Sequence, residues 1–67
     1  MTDQARQVAS HTNRIRKALR DLPKDTSVLM VYPNSNAGAL ALDRTREDLQ
    51  EIVGSAVAIA EHLGIEL

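Results

Sequence analysis

The sequence predicts a small α+β domain with its elements in the order α–β–β–α. Three observations carry that reading. Residues 4–22 hold an apolar stripe at helical spacing, and residues 27–32 are an apolar, β-branched run followed by turn chemistry. Residues 45–63 hold a second stripe that opens on capping residues and closes on a glycine.

The first helix reads QARQVASHTNRIRKALRDL. Val8, Thr12, Ile15, Leu19 and Leu22 recur at steps of 4, 3, 4 and 3, which places them on one face. Thr2 and Asp3 are the candidate caps at its start. Pro23 is expected to end it, because the residue before a proline is pushed away from helical backbone angles.

Ser27-Val28-Leu29-Met30-Val31-Tyr32 then reads as a strand, apolar on both faces. Residues 33–38, PNSNAG, are turn formers throughout. The run ALALD at 39–43 is the expected returning strand, with Leu40 and Leu42 on one face and Ala39 and Ala41 on the other. The two strands pair as an antiparallel hairpin flanked by the two helices.

In the second helix, Thr45 with Asp48 three positions on approximates a capping box. Glu47 and Asp48 put negative charge at the positive end of the helix dipole. Leu49, Ile52, Val53, Ala56, Ile59, Ala60 and Leu63 form the expected core face. Gly64 stands where a left-handed closing residue belongs, and Ile65 where its hydrophobic contact falls.

Size makes this architecture hard to complete alone. Residues 1–67 are one domain, and a chain of this length buries only about 60% of its unfolded surface. There is no cysteine for a disulfide, no Phe or Trp, and Tyr32 is the single aromatic. Nine of the apolar residues are alanine. The stretch IVGSAVAIA at 52–60 has no charge on any side of its helix, and a two-stranded sheet is marginal in water. A second copy of the chain is the expected remedy, as a dimer or larger homo-oligomer. Its interface is expected at Gly54, Val57 and Ala58 on the second helix and at Val31, Ala39 and Ala41 on the hairpin.

The charges are unevenly placed. Residues 1–24 hold six basic and two acidic side chains, and residues 25–67 hold two basic and seven acidic. Asn13, Arg16, Lys17 and Arg20, with Arg14 beside them, make a cationic outer face that suits phosphates or an acidic partner. A solvated helix face explains the same residues. His11 and His62 read as structural or surface residues, and PNSNAG leads into a strand where an anion-binding loop would lead into a helix.

No nucleophile–base–orienter set can be assembled, no metal-loop pattern is present, and no cofactor motif occurs. Neither a signal peptide nor a membrane-spanning run is found, so a cytoplasmic protein is expected. The expectation for function is a small non-catalytic interaction module that self-associates and binds a partner protein surface. The alternative is a nucleic-acid-associated regulator that uses the basic face of the first helix.

Overall fold

Two long helices account for most of the chain in the computed structural model, which describes residues 2–67. They are α1 (Asp3–Val31) and α2 (Asn36–Leu63), joined through residues 32–35. No strand occurs among the described residues. The fold is an all-α helical hairpin, which corrects the α+β expectation: segments 27–32 and 39–43 are helical, apart from Tyr32 at the turn.

The reason is a register longer than either supposed strand. Val8, His11, Ile15, Ala18, Leu22, Asp25 and Leu29 follow one another at steps of 3 and 4, and all are buried or half-buried. On α2 the same spacing runs through Gly38, Ala41, Thr45, Asp48, Ile52, Ser55, Ile59 and His62, again all buried or half-buried. This is the repeat that holds one helix face against another helix over many turns. The β preference of Val28 and Val31 is a weak local bias, and continuous packing overrides it.

Pro23 does not end α1. It is exposed, off the packed seam, so its ring meets solvent. Its missing N–H leaves one carbonyl of the preceding turn without its helical donor. One turn on, the Thr26 hydroxyl donates to the Leu22 carbonyl at 2.9 Å. Thr2 caps the start of α1, its side chain accepting from the Ala5 N–H at 3.1 Å.

The turn itself falls within PNSNAG, but it joins two helices. Ser35 is the hinge pin. Its Oγ accepts from the Gly38 N–H at 3.0 Å and donates to the Tyr32 carbonyl at 2.9 Å. Gly38 lies where α2 crosses the end of α1, and a Cβ there would stand 1.9 Å from the Tyr32 oxygen. Thr45, expected as a cap, is instead buried in mid-helix. At the far end Gly64 is left-handed (φ 69°, ψ 29°), and the Ile65 N–H reaches the Ala60 carbonyl at 2.9 Å, closing α2 as expected.

The most deeply buried positions of the seam between the helices are small or polar, with Val8, Ile15, Leu22, Leu29, Ile52 and Ile59 half-buried along it. Ala18, Ala41 and Ala60 are its buried apolar residues, beside buried Asp25, Thr45 and Ser55. No large side chain among the described residues is fully buried. The molecule measures 46 × 22 × 13 Å, and its least dimension is about the width of one helix. It is one layer of structure, where globular domains stack two or more.

Candidate functional site

Closing this seam leaves a second, largely apolar series of α2 outside. Leu42, Arg46, Leu49, Val53, Ala56, Ala60 and Leu63 form a second series on α2, also at steps of 4 and 3. It lies about 100° around the helix from the series that meets α1. Its large members are open: Leu42 is 45% exposed, Leu49 47%, Val53 62% and Leu63 55%. Leu42, Arg46, Leu49, Val53 and Gly54 line one shallow groove along it.

Part of α1 shares this side. Leu63 meets Ala5 and Ala9 there. Leu19 lies two heptads beyond Ala5, as Leu49 lies two heptads before Leu63, so all four look out of the same broad face. Leu19 is itself half exposed. The opposite side of the hairpin carries charge. Arg14 Nε stands 3.8 Å from Glu51 Oε1, and Asp21, Lys24, Arg44 and Glu47 gather farther along. The hairpin is thus amphipathic as a whole, with one apolar broad face and one ionic one.

The expected interface residues are scattered by this geometry. Gly54 is open, with nothing within 4 Å of a Cβ built on it. Val57, Val31 and Ala39 are exposed, Ala58 is half-buried on the side of Glu51, and Ala41 is buried between the helices. The exposed Leu49, Val53 and Leu63 had been expected in the core. What misled the sequence reading was the usual premise that the most apolar stripe is the hidden one; the second series at 3–4 spacing was the available signal. Asn13, Arg16, Lys17 and Arg20 are all exposed on α1, as a cationic face requires. Arg14 is held within its own chain by Glu51.

Two polar layers cross the seam. His11 and His62 lie with ring centroids 6.0 Å apart, and His11 Nδ1 is buried without a partner among the described residues. The Gln4 side-chain amide donates to the His62 carbonyl beside them. About four turns away Asp25, 8% exposed, faces Asp48. The Asp48 carboxyl is pushed up to about 6, first by hydrogen bonding with Asp25, then by burial and by the charges of Asp25, Asp21 and Glu47. Oδ2 of Asp48 has no partner among the described residues, and a proton on Asp48 supplies a donor for this contact.

The sign of the linkage follows. The folded chain holds this proton more tightly than the unfolded chain, whose Asp48 titrates at its ordinary value near 3.8. The resulting stabilisation is full below that value and disappears as pH rises through about 6. The melting temperature is therefore expected to climb as pH falls from 7.5 to 5. Asp48→Asn should flatten that slope, and a parent chain with no slope between these values would contradict the raised Asp48 carboxyl.

No group of three or more His, Asp or Glu side chains among the described residues is placed to hold a metal ion. No helix among them is long and apolar enough to cross a membrane. Fold and site together define a class: a single-layer antiparallel helical hairpin with an uncovered apolar face. No family model, curated protein or solved structure matches the chain.

Proposed function

We propose that this chain is a non-catalytic interaction module that self-associates through the open apolar face and presents its remaining surface to a partner protein. One observation supports this above the others. The hairpin exposes 5097 Å², whereas a compact monomer of its 7.3 kDa would expose about 4,200 Å². Aliphatic side chains on the second α2 series make up a continuous part of that surface. A row of exposed aliphatic side chains rimmed by polar residues marks an association site. A cytosolic setting belongs to the same proposal, on the cysteine-free sequence. Light scattering tests the reading directly, since it requires a solution mass at least twice 7.3 kDa.

A second reading, nucleic-acid association, has its own support in the exposed Asn13, Arg16, Lys17 and Arg20. It predicts retention on random duplex DNA that falls steeply with salt and is lost in Lys17→Glu with Arg20→Glu. Absence of retention at low salt would remove it.

A further inference from the structure

We infer that the occupant of the open face is a second copy of the chain stacked antiparallel, α2 on α2, in a four-helix arrangement with its two-fold axis at the level of Leu19 and Val53. This rests on the self-association proposed above and specifies its geometry.

Area is the first argument. The surface in excess of a compact monomer is about 900 Å² per chain, close to the roughly 800 Å² each partner contributes to a stable interface of standard size.

Side-chain size gives direction. Along the second series Leu42, Leu49, Val53 and Leu63 are bulky and exposed, Ala56 between them is small and half-buried, and Ala60 is buried against α1. A parallel pair would set Leu49 on its own copy and leave a gap between facing alanines. An antiparallel pair lays Leu49 over the partner's Ala56, the large-on-small filling that packed cores use, and sets Leu42 beside the partner's Leu63.

Charge agrees with it. Arg46 is the one charged residue in the series. Side-by-side parallel α2 helices would confront it with its own copy. Antiparallel stacking carries it toward the far end of the partner's α2, where the helix dipole is negative and Glu61 and Glu66 lie. Within the hairpin His11 is level with His62 and Asp25 with Asp48.

That same internal register supplies a further coincidence. It puts Leu19 level with residue 54, so the axis that joins the α2 helices near Val53 and Ala56 also brings Leu19 onto its own copy. The most exposed large aliphatic side chain in the middle of α1 thereby finds apolar cover.

The absence of native cysteine makes the test clean. Leu42→Cys and Leu63→Cys chains are prepared separately, mixed, and treated with a short bismaleimide crosslinker. The antiparallel pair requires coupling between the two variants and little coupling of Leu42→Cys with itself, because those positions stand about 35 Å apart. Leu19→Cys should couple to its own copy. Strong self-coupling at Leu42→Cys, or a dimer that couples at neither pair, overturns the stacking while leaving self-association intact. A parent chain that scatters light as a monomer overturns both. If either leucine variant loses helicity, Arg46→Cys mixed with Glu61→Cys reads the same pairing, since a parallel pair would hold those positions about 22 Å apart along the helix.

Discussion

Glutamate at both Leu49 and Val53 is expected to reduce the self-associated protein to single 7.3 kDa chains. In one hairpin these side chains are 47% and 62% exposed, and glutamate is a good helix former, so the helices themselves should persist. In the proposed assembly both leave water. Fully burying a leucine or valine contributes about 1.5–3 kcal/mol, and about half of each side chain is still exposed in the hairpin. Over the four side chains of a dimer the double substitution therefore removes about 3–6 kcal/mol, about two to four orders of magnitude in Kd, before the cost of burying the new carboxylates is counted. Light scattering reads the mass and circular dichroism the helicity. An unchanged mass would mean that the open face is not the contact. Ala58→Glu, on the ionic side, is the control and should leave the mass as it was.

Gly38→Ala is expected to be the most damaging single methyl addition to the hairpin. The new Cβ would stand 1.9 Å from the Tyr32 oxygen and 2.9 Å from its carbonyl carbon, both backbone atoms that cannot rotate aside. Either α2 lifts off the end of α1 or the turn opens, and each breaks the two hydrogen bonds of Ser35. Alanine's better helix propensity returns about 1 kcal/mol, against a clash of about 3 kcal/mol or more. In a chain whose whole margin is about 3–10 kcal/mol, much of the stability goes. Gly54→Ala is the contrast. Nothing lies within 4 Å of its Cβ, so it should gain up to about 1 kcal/mol. Urea melts of the two variants should move in opposite directions, and a Gly38→Ala chain as stable as its parent would contradict the close crossing at the turn.

Local signals in the sequence were read correctly where a few neighbouring residues decide the outcome. Thr2 caps α1, the turn falls within PNSNAG, and Gly64 with Ile65 closes α2. The exposed run of Asn13, Arg16, Lys17 and Arg20 was equally legible, since charges placed opposite an apolar stripe stay in water. The strand readings at 27–32 and 39–43 failed because β-branched residues and Ala-Leu alternation say little about a segment apart from what it packs against. Pro23 is a stop signal by its local chemistry, yet a proline on the solvent side of a long packed helix is tolerated. Thr45 and Asp48 resembled a cap because their actual role, filling a helix–helix seam, is one usually taken by apolar residues.

The amino-acid order by itself determined the capped ends, the turn, the charge layout and a surplus of aliphatic surface over what 67 residues can enclose. Only the tertiary structure decided which of α2's two series is hidden. Packing against α1 selects the face whose side chains are small enough for two helices to approach and whose polar groups find counterparts, His11 with His62 and Asp25 with Asp48. That selection depends on residues more than twenty positions apart meeting in register, and no window along the chain contains both partners. The leucines left over face outward as a consequence of it.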